Sequence, residues 1–228
     1  YFLTNHEKIY YVFTDAKEIE YETKANIVKI YQKKLAWPFS TMSRFKYFIE
    51  SKDLFKNSDY LIFCNANLLF VDKVDNEMLP LEEDYVALLQ PSFWNKPRNE
   101  FPYETNPQSL AYIPANMGKH YFMGSLNGGK TNAFLKMCEV LDHNINEDLK
   151  KGIIAVWHDE SHLNSYLMDK KVKLLNPSYG YPEDWDLPFN PKIMILDKRK
   201  FASLNELRGI NDTRSLFTRI INIFKGKK

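Results

Sequence analysis

The chain predicts an α/β domain built on an open sheet, and three observations carry that prediction. Short runs of β-branched and aromatic residues, such as 9–14 and 59–64, alternate with longer segments whose apolar residues recur every three to four positions. Several of the strand-like runs end on polar residues, where an α/β sheet usually presents a ligand. With 228 residues, 44% hydrophobic and 15% aromatic, the chain is long enough for one large core, so a single domain is expected. A net charge of +2 excludes a simple polyanion-binding surface, and no nucleic-acid partner is expected. Cys64 and Cys138 sit in apolar segments at no metal-ligand spacing and read as reduced core thiols. With no membrane-spanning run and no signal peptide legible, the expected location is the cytoplasm.

In order, residues 9–14 read as a buried strand that delivers Asp15 at its end, and 26–31 as a second strand. Trp37-Pro38 stops it. Residues 41–55 then run helical, with Met42, Phe45, Phe48 and Ile49 on one stripe and Arg44 and Lys46 off it. The near-continuous apolar run 59–64 reads as a central strand covered on both faces. It ends in Asn65-Ala66-Asn67, whose two amides would project to one side of an extended segment. Residues 84–90 form another strand, and 91–107, rich in Pro, Phe, Trp and Tyr, an ordered aromatic loop. Residues 111–114 and 121–123 read as short strands around a turn, and the glycine-rich 124–129 as a turn opening a helix over 131–141. Strands are expected at 173–175 and 193–196, with an aromatic loop at 179–185 between them and the basic Lys198-Arg199-Lys200 after the last. From 213 the tail reads as a basic amphipathic helix, suited either to an anionic membrane surface or to packing on the domain.

The densest chemistry is Trp157-His158-Asp159-Glu160-Ser161-His162, where an apolar run ends and a helix begins. Three readings stand. Asp159 can be the N-cap, with Glu160 as a first-turn acid and both histidines as polar neighbours. Alternatively His158 and His162, four apart, hold a metal for hydrolysis, although Glu160 is then one place late for the zinc-binding pattern. In the third reading a carboxylate faces the anomeric carbon of a sugar and Trp157 offers a platform to the sugar's apolar face. A carbohydrate-binding domain that only grips sugar is the non-enzymatic alternative.

The order of motifs resembles glycosyltransferase family six, the retaining α1,3-galactosyl- and N-acetylgalactosaminyltransferases that include the histo-blood group A and B enzymes, and in particular its bacterial branch. Tyr10-Tyr11-Val12-Phe13-Thr14-Asp15, Trp37 with Met42 and Arg44, Tyr60-Leu61 through Asn65-Ala66-Asn67, Tyr103-Glu104, 111–114, Gly128-Gly129 and Trp157-His158-Asp159-Glu160-Ser161 carry the resemblance, which covers roughly residues 8 to 200.

The resemblance implies a GT-A fold, a Rossmann-like mixed sheet flanked by helices, over 1–200, followed by the basic tail 201–228. It implies Glu160 as the catalytic carboxylate. Donor-binding residues would be Phe13, Asp15, Arg44, Asn65, Asn67, Met123, Ser125, Asp159 and Lys198; acceptor-binding residues would be Gln90, Trp157, His158 and Trp185. Asn65 and Asn67 stand where such enzymes commonly carry two metal-binding acids. Neutral amides are poor ligands for a hard dication, so no metal and no cofactor is expected, and Lys198 would meet the pyrophosphate. The expected substrates are UDP-galactose or UDP-N-acetylgalactosamine and an oligosaccharide or glycolipid acceptor, a fucosylated galactoside first among them. Ser125 tilts the donor to galactose, because a 2-acetamido group needs room. The family's first strand and helix, which contribute to the uracil pocket, are absent, and weak UDP binding is expected from that. The tail would bring the protein to the inner face of a membrane.

Overall fold

The computed structural model of the chain describes residues 1–201. Its centre is a four-stranded mixed sheet in the order β3 (Tyr60–Cys64), β6 (Phe122–Lys130), β5 (Tyr85–Leu89), β7 (Val172–Leu175), with β6 antiparallel to both neighbours and β7 parallel to β5. The two-residue period of a strand decides what each face buries. Tyr85, Ala87 and Leu89 of β5, with Leu61 and Phe63 of β3, meet a core formed by α1 (Phe39–Met42), α2 (Arg44–Glu50), α3 (Thr131–Lys150) and α4 (Asp159–Leu167). Val86 and Leu88, with Ile62 and Cys64, face the other way. There they pack on Val74, Met78 and Tyr179 and on a small sheet ordered β4 (Leu68–Phe70), β9 (Ile193–Ile195), β8 (Tyr181–Pro182). β1 (Tyr10–Thr14) and β2 (Ile27–Tyr31) form a separate parallel pair, joined to the helical core by Phe13 edge-on to Phe48, ring centres 5.3 Å apart.

Several expectations need correction. The run 59–64 is a strand, but it borders its sheet instead of lying at the centre, a place taken by β6 and β5. β1 is only partly buried. The glycine-rich 124–129 is no turn: it is the body of β6, where a Cβ on Gly128 would stand 2.4 Å from the Leu61 carbonyl oxygen and one on Gly129 2.4 Å from that of Asp84. Glycine serves there for close approach of neighbouring backbone. Residues 111–114 are not a strand: bonds from Ala111 and Tyr112 to Ser109 and from Ile113 to Glu104 take up their N–H groups outside any ladder. The helix expected over 41–55 breaks into α1, α2 and a 3-10 turn at Lys52–Phe55, while α3 runs on to Lys150. Asn65-Ala66-Asn67 is a turn closed by the Leu68 N–H on the Asn65 carbonyl, so its amides do not share the side of an extended segment.

Both cysteines are free, and burial pushes both thiols up, Cys64 to about 12. Among the described residues no helix is long and apolar enough to cross a membrane. The amphipathic tail helix expected from 213 lies outside the described residues.

Candidate active site

The first turn of α4 carries Asp159 and Glu160, where the helix dipole favours negative charge. The N-cap is His158 and not Asp159, and it gives no side-chain cap bond. His158 has φ +55°, a conformation that costs a residue with a side chain about 1–3 kcal/mol and that clusters at functional sites. The turn before it is held from both sides: from outside the helix Glu104 Oε2 accepts from the Val156 N–H at 2.7 Å, and from within it Ser161 Oγ accepts from the Trp157 N–H at 3.0 Å. The helix is then clamped to β6 by Asn164. Its amide accepts from the Phe122 N–H at 2.8 Å and donates to the Phe122 and Glu160 carbonyls, both at 2.9 Å.

Glu160 therefore has no freedom to swing. Its Oε2 accepts from the Gly124 N–H at 2.7 Å and its Oε1 from the Tyr121 hydroxyl at 3.0 Å. Burial outweighs these two bonds and pushes its carboxyl up to about 7. Asp159, 6% exposed, lies beside it and pairs with Arg44, whose Nε is 3.3 Å from Asp159 Oδ2. Arg44 is itself fixed by Nη1 on the Gly124 carbonyl at 3.0 Å, Nε on the Thr41 carbonyl at 3.1 Å and stacking 4.6 Å above the Phe63 ring. Lys198 is within electrostatic reach of Arg44 and Asp159; desolvation first, then Arg44, lowers its ammonium pKa. Two carboxylates and the Arg44 guanidinium thus converge on the strand at Gly124, with Lys198 within electrostatic reach. A Cβ at that glycine would lie 3.5 Å from both Asp159 Oδ2 and Glu160 Oε2, so its absence leaves the carboxylates facing open backbone.

Other residues named from sequence distribute around this centre. Met123 and Ser125 flank Gly124; the Ser125 carbonyl accepts from the Asn65 N–H at 2.9 Å, and its buried hydroxyl has no partner among the described residues. Asn67 donates its amide to the Leu196 carbonyl at 2.7 Å and its own carbonyl accepts from the Leu196 N–H at 2.9 Å, two residues before Lys198. His158 packs edge-on against Trp37 at 4.6 Å, and desolvation lowers its pKa. Trp157 is half exposed beside it. The Gln90 N–H bonds the Tyr121 carbonyl, and its side chain accepts from the Ser92 N–H. Phe13 is spent on packing with Phe48. Asp15 is exposed and makes no polar contact among the described residues, and exposed Trp185 lies in the turn after β8; neither is brought to Glu160 by a contact.

The two histidines do not form a metal-binding pair. His158 precedes the helix and packs on Trp37, whereas His162 is buried with Nε2 3.6 Å from Asp148 of α3 and a pKa pushed down to about 4 by burial. Among the described residues no group of three potential ligands is arranged for a metal.

Tyr121, Gly124 and Asn164 escaped the sequence reading. Tyr121 and Gly124 stand about 40 positions from Glu160, and nothing in their spacing marks them.

A family model described as Glycosyltransferase family 6 matches residues 1–206. The chain is 32% identical over 199 residues to the O-antigen biosynthesis glycosyltransferase WbnI of Escherichia coli, an overlap of 87% of this chain and 85% of that protein. It is 34% identical over 212 residues to the histo-blood group ABO system transferase 2 of Rattus norvegicus, covering 90% of this chain and 61% of the other. To the globoside alpha-1,3-N-acetylgalactosaminyltransferase 1 of Gallus gallus it is 37% identical over 142 residues, covering 60% of this chain and 39% of the other.

Proposed function

Because the chain belongs to glycosyltransferase family 6, we propose that it transfers galactose or N-acetylgalactosamine from a UDP-sugar, in α1,3 linkage and with retention, to a galactoside acceptor, without a metal. The observation that carries this reading is the clamped Glu160 carboxylate beside the Arg44–Asp159 pair. A carboxylate beside the anomeric carbon suits a retaining transfer, and both roles open to it, nucleophile and stabiliser of an oxocarbenium ion, use the ionised form. In the transfer the bond from C1 to the diphosphate oxygen breaks, UDP leaves with the electron pair, and the acceptor 3-oxygen bonds C1 as its proton passes to the departing diphosphate oxygen. Asp159 and Arg44 bind hydroxyls of the donor hexose. Lys198, with Arg44 near, meets the charge that develops on the diphosphate as the bond breaks, which is electrostatic stabilisation aimed at the leaving group.

Metal independence rests on the donor set. Asn65 and Asn67 offer neutral amides, and the Asn67 amide already donates to the Leu196 carbonyl. Half-exposed Trp157 and the His158–Trp37 pair form the acceptor side, where apolar ring faces suit a galactoside. Galactose is the favoured donor sugar, on the size of Ser125.

The test is UDP release from UDP-galactose and from UDP-N-acetylgalactosamine, each in EDTA, with and without a fucosylated galactoside. Acceptor-stimulated release with one donor is expected. A strict requirement for manganese would overturn the argument from Asn65 and Asn67.

A further inference from the structure

The aromatic loop 91–107 turns rings inward. Phe93, Phe101 and Tyr103 surround the ring of Tyr121 at centroid distances of 5.3, 6.1 and 5.4 Å, and Tyr121 is only 2% exposed. The arrangement is braced further out. Arg98 stacks 4.4 Å above Tyr103 while its Nη2 donates to the Pro114 carbonyl at 3.0 Å, and the Tyr103 hydroxyl donates to the His120 carbonyl, next to Tyr121, at 2.5 Å. A side chain so enclosed has one polar atom, its hydroxyl, and that atom points at Glu160 Oε1.

We propose that Tyr121 is a positioning residue for Glu160, and that the aromatic loop serves to aim its hydroxyl and keep water from that side of the carboxylate. This rests on the reading of Glu160 given above. Tyr121 directly precedes β6 and Gly124 lies within it, so one short stretch of chain supplies both donors, a side-chain hydroxyl to one carboxylate oxygen and a backbone N–H to the other. The carboxylate plane is thereby set by β6, to which Asn164 also locks the helix that bears Glu160. Fixing both oxygens holds the reacting group in one orientation before substrate arrives, which is where positioning lowers a barrier. The hydroxyl remains a donor, because burial and the adjacent Glu160 raise the phenol pKa.

A hydrogen bond to the charged form favours ionisation, so losing it makes Glu160 harder to ionise. The charged groups facing Glu160 are Asp159 on its own helix and Arg44 from α2; Tyr103 and Asp159 face Tyr121. None of these is altered by Tyr121→Phe, which keeps the ring and its packing.

The experiment follows the ionisation of Glu160 by carboxyl carbon NMR in the full chain, wild type against Tyr121→Phe, alongside kcat as a function of pH. The variant is expected to move the Glu160 midpoint up by about one pH unit. At pH 7 its kcat should fall by about fivefold from the shifted ionisation, and that loss should shrink toward higher pH. An unmoved midpoint overturns the proposal even if kcat falls, since packing alone would then explain the loss. Should Tyr121→Phe fail to fold, 3-fluorotyrosine at position 121, a stronger donor of the same shape, is expected to lower the midpoint, and no change again overturns it. The titration does not depend on turnover. Full turnover by Glu160→Gln would sink the parent reading, whereas a normal midpoint in Tyr121→Phe would sink only this one.

Discussion

At the scale of single residues, the behaviour of Glu160 is set by a contest between burial, which disfavours the carboxylate, and two hydrogen bonds that favour it. Burial wins, and the sign of the pH dependence follows. In the proposed transfer the working form is ionised, so kcat/KM should be at its plateau above about 7 and fall by about tenfold per pH unit below it. Stability moves the other way. The folded chain holds this proton more tightly than the unfolded one, so the group's contribution is full below about 4.3 and is lost as pH rises through about 7. Relative to wild type, Glu160→Gln should therefore gain thermal stability across that window. Its amide oxygen can still accept from Gly124, and its amino group can donate to the Tyr121 oxygen. An acid limb in kcat/KM centred near the ordinary glutamate value would contradict the account. Glu160 itself was nominated as the candidate carboxylate by the Trp-His-Asp-Glu-Ser order. Its partners were not, because the Gly124 N–H leaves no side-chain signal and Tyr121 reads as one more strand aromatic.

At the scale of elements, legibility followed periodicity. β5 and α3 announced themselves because β5 is a short continuous apolar run buried on both faces and the apolar residues of α3 recur every three to four positions and face a core. β6 was read as a turn because glycine lowers strand propensity, whereas Gly128 and Gly129 are there for backbone contact with Leu61 and Asp84, a fact of the neighbours and not of the segment. The Asn65 to Asn67 turn is a further case: its function in the fold is visible only once Leu196 is beside it. Asn67→Asp removes the donor to the Leu196 carbonyl and places a negative charge in its stead, loosening the segment that carries Lys198. Steady-state kinetics on the variant should show the KM for the donor raised about fivefold or more, with kcat affected less. Recovery of the wild-type KM on adding manganese would contradict the assignment of Asn67 to this clip.

At the scale of the whole molecule, the site is a meeting of distant segments. Arg44 reaches a carbonyl 80 positions away, and Asn67 reaches one 129 positions away. The mixed sheet brings the ends of β3 and β6, the first turn of α4 and the segment after β9 to one place, while two cores hold it from either face. The catalytic claim depends on all of them, and it is most directly tested by one comparison: single-turnover sugar transfer by wild type and Glu160→Gln, at donor concentrations that saturate both as judged by UDP titration. The account predicts that transfer falls by at least about a thousandfold while the UDP affinity is retained. Transfer at the wild-type rate with Glu160→Gln would contradict it and leave Glu160 a structural residue of the α4 turn.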